Sequence, residues 1–457
     1  MNLRHLVADH AWTGGGFRDA VALQTVHGHW TRVEPGTEGG EADPVGSWVL
    51  PGMPNIHSHA FQRAMAGLAE RRGPASAAGD SFWTWRETMY AFAASIGPAE
   101  LAAIAAQLYA EMLKAGYTHV CEFHYLHHRP DGRAYDDPAA MSLALVDAAR
   151  EAGIGLTLLP TLYMAGGFDG RTLAERQRRF GHGLDAYLRL VERLRMQASP
   201  MLEVGIALHS LRAVPEDALR TVLASGLAND GPIHIHIAEQ VAEVEECLAL
   251  RGARPVEWLL DHADVDARWC LVHATHLSAS ETRRLAASGA VAGLCPTTEG
   301  NLGDGLFPLE RYLGAGGVIG IGSDSHVSVS PVEELRWLEY GQRLATHRRN
   351  VVATEDGSSG ARLWECALRG GAQASWAPLG ALAEGYRADL LVLDGESPLL
   401  AARRPEEILD SFVFAGNSPL VRDVMVAGEW RVRDGRHVDE ARIAKRFRAV
   451  VGRLRGA

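Results

Sequence analysis

Two histidines two residues apart, His57 and His59 in the segment NIHSH, are the first residues whose spacing could do chemistry. On a strand, residues two apart share a face, so the two imidazoles would stand side by side. Imidazole nitrogen is a favoured ligand of zinc-like cations. The pair carries little weight alone in a chain with 20 histidines. Three later positions add to it. His236 closes the run HIHIAE with Glu239 three residues on, His273 closes an apolar run in LVHATH, and Asp324 lies in GIGSDSH. Each is a polar group at the end of an apolar run, where a purely structural role would be costly to satisfy. His57, His59, His236 and Asp324 thus form a candidate set of four protein ligands with room for water, the pattern of an open catalytic site. His234, one pleat below His236, reads as a packing residue.

A cation held by such a set makes water ionise near neutral pH and act as a nucleophile. Asp324 is then placed to take the first proton, and Glu239 to carry a proton to a departing nitrogen. His273 can hydrogen-bond the oxygen at the tetrahedral centre. A protonated nitrogen leaves as ammonia, which suits an amidine or an aminated ring carbon without choosing between them. A two-metal version of the arrangement usually needs a carboxylated lysine on the fourth strand. Here the fourth run ends at His209, and the two lysines, Lys114 and Lys445, lie on no predicted strand. One divalent ion per chain is expected, and histidine-rich ligation favours zinc.

The elements that must position these residues are legible as eight short apolar runs separated by helical patterns. The runs start at Trp48, Tyr117, Ile154, Leu202, Pro232, Trp269, Ala290 and Val318. Nearly continuous apolar strands alternating with helices indicate a parallel sheet covered by helices. Eight units suggest an α/β fold of the closed (β/α)8 TIM-like barrel type, whose active sites lie at the C-terminal rim. A helix is predicted from Pro98, with proline at its start and glycine at its end. A long insertion from about Gly73 to Gly97 carries FWTWRETMY, where Trp83 and Trp85 are expected to pack the loop rather than meet a ligand. The two ends of the chain read differently, as short alternating runs broken by glycine. The predicted division is a small β-sandwich domain from residues 1–47 and 382–440, a barrel over 48–381, and a basic amphipathic C-terminal helix over 441–457. That helix is expected to dock on its own chain or on a partner subunit.

Composition narrows the function classes. A net charge of -11 argues against a nucleic-acid partner. Local arginines could still receive a small anion. No apolar stretch is long enough to cross a membrane, no signal segment is visible, and the five cysteines are scattered without a CxxC pair. A cytoplasmic protein is expected.

With these residues in place, the chain resembles the deaminase branch of the amidohydrolase superfamily. Within it the chain is similar to the formimidoylglutamate deiminases of histidine degradation. The segments that carry the likeness are NIHSHAFQRAMAGLAE, FWTWRETMY, HIHIAEQ, LVHATH, CPTTEGNLGDG, GIGSDSH and the C-terminal RADLLVLD. The resemblance implies zinc-dependent hydrolysis of N-formimino-L-glutamate to N-formyl-L-glutamate and ammonia, and a homodimer. A substrate with two carboxylates needs cations and donors, and the matching positions are Gln62, Arg86, Tyr125, His209 and Arg212. Three other readings stay open. One is a mononuclear deaminase of a purine, pyrimidine or triazine ring. Another is a binuclear hydrolase of cyclic amides or esters. The third is a non-catalytic barrel used as a binding module.

Overall fold

The computed structural model describes residues 3–36, 42–70, 82–355 and 357–456. Eight parallel strands run in sequence order: β1 (Met53–Ser58), β2 (Tyr117–His124), β3 (Gly155–Leu162), β4, β5 (Ile233–Ile237), β6 (Trp269–His273), β7 (Val291–Leu294) and β8 (Val318–Ile321). β4 is broken into Leu202–Val204 and Ile206–Ser210 at Gly205, where a Cβ would meet the Pro232 carbonyl at 2.7 Å. Every residue of β2, β3, β5 and β6 is buried, which is why these strands read as apolar runs and not as alternations. The ring closes between β8 and β1 through main-chain bonds from Asp324 N to His57 O at 3.0 Å and from His59 N to Asp324 O at 3.1 Å. The residues that close the barrel are therefore candidate ligands.

The helices begin and end where the sequence punctuates them. Pro98–Ala115 starts with proline in its first turn, where no partner for its nitrogen is needed, and ends at Gly116 with φ 106°. The helix Ser359–Ser375 lies against β8 and β1 at van der Waals distance. A Cβ on Gly370 would sit 1.9 Å from the Ile319 carbonyl oxygen, and one on Gly371 would sit 3.0 Å from Pro54.

The terminal segments form one eight-stranded sheet. Its order is Arg436–His437, Glu429–Arg433, Val421–Val426, Leu390–Leu393, Asp43–Pro51, Arg4–Trp12, Phe17–Val26 and His29–Glu34. All its pairs are antiparallel except Arg4–Trp12 with Asp43–Pro51. The sheet curls until its last strand meets the segment entering Leu390–Leu393, with Trp30 N bonded to Tyr386 O at 2.9 Å. The curl wraps a small core of its own that includes Leu23, Trp30, Val49, Leu390 and Met425. The run beginning at Trp48 serves both sheets. Residues 48–51 pair with 390–393, and the barrel strand starts only at Met53. The chain turns between them at Gly52, where a Cβ would lie 2.3 Å from Thr118 Oγ1.

A buried ion pair joins the small sheet to the foot of β2. Arg387 Nη2 donates to Asp389 at 2.6 Å and to the Thr118 carbonyl at 3.0 Å. Asp389 also accepts from Ala427 N at 2.9 Å. The C-terminal helix Glu440–Leu454 docks on its own chain, burying Ile443 and Val450 while Arg446 reaches Glu151 at 2.5 Å. Among the described residues no helix is long and apolar enough to cross a membrane.

The helix–strand contact at Gly370 leaves no room for a methyl group. Gly370→Ala should cost about 1–3 kcal/mol by overpacking, read as a fall in Tm. Gly314→Ala, with nothing within 4 Å of the added Cβ, should leave Tm nearly unchanged. Equal effects from the two would contradict the packing argument.

Candidate metal and active site

The C-terminal ends of β1, β5, β6 and β8 bring His57, His59, His236, His273 and Asp324 together, and all five are buried. His57 Nε2 lies 3.2 Å from His59 Nε2 and 2.9 Å from His236 Nε2. Asp324 Oδ1 is 3.4 Å from His57 Nε2 and 3.3 Å from His59 Nε2. The other ring nitrogens explain this convergence. His59 Nδ1 donates to the Phe123 carbonyl at 2.9 Å, and His236 Nδ1 donates to the His209 carbonyl at 2.9 Å. Each imidazole has spent its one proton on the backbone, so its Nε2 presents a lone pair. Only His57 could supply a proton to the cluster, and it could serve one neighbour. The remaining approaches set lone pair against lone pair or against carboxylate oxygen. Burial, then the neighbouring histidines, holds the His57 imidazole well below its usual pKa, so protonation does not relieve the crowding. A divalent cation accepting all four donors does, and the donor set of three neutral imidazoles and one carboxylate fits it.

The backbone pays a local strain to make this arrangement. Ala238, His273, Ala274, Asp324 and His326 all have positive φ, between 44° and 68°, at or just past the ends of β5, β6 and β8. Such non-glycine conformations cost of order 1–3 kcal/mol each and gather at functional sites. Beneath the cluster a polar network fixes the register of β1. Glu122 accepts from Ser58 Oγ at 2.5 Å, Ala60 N at 2.7 Å and the Tyr109 hydroxyl at 3.2 Å. Asn55 Nδ2 donates to Ser323 Oγ at 2.6 Å, tying β1 to the segment that carries Asp324. His234 points elsewhere and donates to the Ala374 carbonyl at 2.9 Å.

His273 stands to one side. Its Nε2 is 3.8 Å from Glu239 and 4.0 Å from Asp324, and its Nδ1 faces Glu299 at 3.3 Å. Burial opposes its charge, but Glu239, Glu299 and Asp324 outweigh burial and raise its pKa to about 10. Burial raises Glu239 to about 7, against the pull of His273 and with the help of Asp324 and Glu243. A carboxyl poised near neutrality can both take and give a proton. Glu243 accepts from the Ala238 and Glu239 amides at 3.2 and 3.0 Å, which holds the turn that presents Glu239.

One cavity opens over this cluster. Gln62, Arg86, Tyr125, His209 and Arg212 all line it, with His59, His236, Glu239, His273 and Asp324 at its floor. Gln62 Nε2 donates to the Tyr125 hydroxyl at 3.0 Å. Burial works against the charge of Arg212, yet Tyr163, Glu243 and Glu239 hold its pKa above the usual value. Trp85, expected to pack the loop rather than meet a ligand, also lines the cavity. It does so because the helix Phe82–Ala93 lies across the barrel mouth. The Trp83 side chain and residues 73–81 of the insertion lie outside the described residues.

Sequence reasoning passed over Tyr90, Tyr163, Gln240 and Leu302, which also line the cavity. Two of them had a signal. Tyr163 follows directly on β3, the position that singled out Tyr125 after β2, and Tyr90 is four residues after Arg86 on one helix face. Leu302 had none, because it enters through a helix after β7.

Three comparisons bear on the site. Residues 48–431 match the model of the amidohydrolase family. The formimidoylglutamate deiminase of Pseudomonas aeruginosa is 55% identical over 453 residues, covering 98% of this chain and 99% of that protein. A crystal structure of an amidohydrolase from Brucella melitensis superposes with a TM-score of 0.93 at 45% identity, over 99% of both chains. A zinc-bound adenosine deaminase from Xanthomonas campestris shares the fold, with a TM-score of 0.82 at 20% identity over 99% of this chain and 98% of that one.

Beside the site, after β2, lies a cluster of buried histidines. The His127 and His182 rings are 4.3 Å apart, and His124 and His127 are 4.8 Å apart. His127 Nε2 and His128 Nε2 each donate to a carbonyl, Thr161 and Gly181. Burial drives His124 and His182 down to about 3 from 6.5, so both are neutral in the native protein. The unfolded chain takes up these protons below about pH 6.5 and the folded one does not. Their contribution to stability is therefore complete above that pH and lost progressively as pH falls toward 3. Between pH 7 and 5, Tm of the chelator-treated native protein should fall more steeply than that of His182→Gln; parallel slopes would refute the assignment.

Proposed function

The chain belongs to the amidohydrolase family, and on that premise we propose that it hydrolyses the C–N bond of a linear amidine, converting N-formimino-L-glutamate and water into N-formyl-L-glutamate and ammonia. The observation that carries this reading is a single cavity that joins a metal-type His/Asp cluster to two arginines, Arg86 and Arg212. The 55% identity to a formimidoylglutamate deiminase over nearly the whole chain supports the same substrate. A neutral ring substrate would give Arg86 and Arg212 no anion to receive, and a binding module has no use for the strained rim.

His57, His59, His236 and Asp324 would hold one divalent ion, with zinc favoured by three imidazoles. When bound, the ion supplies a Lewis acid and lowers the pKa of water. The chain's own residues do the rest. Arg86 and Arg212 receive the carboxylates, with Gln62, Tyr125 and His209 as further donors, and so set the formimino carbon over the cluster. Asp324 takes the first proton from water. His273, charged and held by Glu299, donates from Nε2 to the oxygen that becomes the formyl carbonyl. The water oxygen bonds to the formimino carbon, and the proton taken by Asp324 passes through Glu239 to the imine nitrogen. The new hydroxyl then gives up its proton to the same nitrogen through these carboxyls as the C–N bond breaks, the C=O bond forms and ammonia leaves. We further propose a cytoplasmic homodimer that acts in histidine degradation.

Ammonia release from N-formimino-L-glutamate by the metal-replete protein tests the substrate directly, with adenosine and other aminated heterocycles as the counter-panel. Arg212→Ala should raise KM by about tenfold or more, since a charged hydrogen bond is worth roughly 1.5–3 kcal/mol. Turnover of the heterocycles alone would replace the reading. Glu239→Gln should lower kcat by about 100-fold or more while metal content stays near one equivalent per chain. Two equivalents would call for a different mechanism.

A further inference from the structure

The wall of the cavity away from the metal cluster contains a hydrogen-bond arrangement that fixes where two phenolic protons point. Gln177, in the turn Glu175–Phe180, is buried behind Tyr90 and Tyr163. Its Oε1 accepts from the Ala174 amide at 2.9 Å. That bond settles which end of the side chain is oxygen, because a main-chain N–H requires an acceptor. The amide nitrogen therefore faces the tyrosines, 3.2 Å from the Tyr90 hydroxyl and 3.0 Å from the Tyr163 hydroxyl. An amide NH2 has two protons and no acceptor lone pair, so it gives one proton to each phenolic oxygen and receives none. Each tyrosine must then spend its own O–H elsewhere. Among the described residues no carbonyl or carboxylate accepts from either hydroxyl, and both tyrosines line the cavity beside Arg86 and Arg212.

We propose that Gln177 is a positioning residue that turns the Tyr90 and Tyr163 hydroxyls into the cavity as a donor pair, which binds one carboxylate of the substrate together with Arg86 and Arg212. This rests on the dicarboxylate reading above and extends it to three residues outside the set named from sequence. The four groups are electrostatic neighbours: Arg86 and Arg212 each feel both tyrosines. The Arg86 guanidinium also lies 5.5 Å from the Tyr90 ring centroid. Burial pushes the Tyr90 phenol up to about 12, so it remains a donor at neutral pH. Two neutral O–H donors add directional bonds without more charge, and they favour a carboxylate over an amide, whose NH2 would meet donor with donor.

The test compares kcat/KM for N-formimino-L-glutamate with that for its two monoamide analogues, one at each carboxylate. Tyr90→Phe with Tyr163→Phe should lower the preference over one of the analogues by about tenfold, mainly through KM. Gln177→Met should lower it about threefold in the native background and not at all in the double-phenylalanine background. A merely structural role would depress all three substrates equally and leave the preference intact; that result, or a preference unchanged within twofold in the phenylalanine pair, overturns the proposal. If Gln177→Met does not fold, the isosteric phenylalanine variants decide alone. Failure of the native enzyme to use N-formimino-L-glutamate at all would sink the functional reading instead, so the two failures are separable.

Discussion

Everything in this molecule is arranged around a close approach that would be unfavourable by itself. His57 Nε2 sits within about 3 Å of two other imidazole nitrogens, and two carbonyls of the barrel backbone, those of Phe123 and His209, hold those rings in the tautomer that aims lone pairs inward. A protein that gains nothing from such crowding has cheaper ways to bury histidine. The same residues close the barrel: the main-chain bonds between Asp324 and the His57–His59 segment complete the ring of strands. The candidate ligand cluster and the closure of the fold are thus mechanically linked, and the positive φ values at the ends of β5, β6 and β8 mark where the chain bends to achieve both.

The cavity above the cluster has two electrostatic poles. On one side Glu239, His273, Glu299 and Asp324 form a buried charge array in which a carboxyl is raised to about 7 and an imidazole to about 10. On the other side stand Arg86 and Arg212 with the phenols of Tyr90 and Tyr163. A substrate with an ionisable nitrogen group at one end and carboxylates at the other is oriented by this polarity before any contact is optimised. Glu239 and Arg212 are near enough to influence each other, since Glu239 helps to keep the arginine charged. The binding pole and the chemical pole therefore share one low-dielectric space.

Parts of the chain far from the cavity matter because they hold the strands that present it. Gly370 and Gly371 let a helix lie directly on β8 and β1, which carry Asp324 and the two histidines of the first strand. Glu122 and Asn55 pin β1 from below through Ser58 and Ser323. The small sheet is anchored to the foot of β2 by the Arg387–Asp389 pair, so the terminal segments brace the barrel at the end opposite its rim.

Much of this was legible in the chain itself. Eight apolar runs punctuated by glycine and proline determine a parallel barrel, because strands buried on both faces leave no room for alternation. The HxH pair, His236, His273 and Asp324 stood out because each is a polar residue ending an apolar strand, a local property that needs no coordinates. What only the tertiary structure decided depends on where distant segments meet. The Trp48 run divides at Pro51–Gly52, a turn dipeptide that marks where a break can fall, while the reason for it, that the two halves pair with strands hundreds of residues apart, lies in the tertiary structure. Trp85, Tyr90 and Tyr163 reach the cavity through the placement of one helix and one turn, and Gln177 orients the two phenols from behind them. Periodicity reports which face of an element is buried, but which elements share a cavity, and which way a hydroxyl proton points within it, is settled by packing between segments that the sequence keeps far apart.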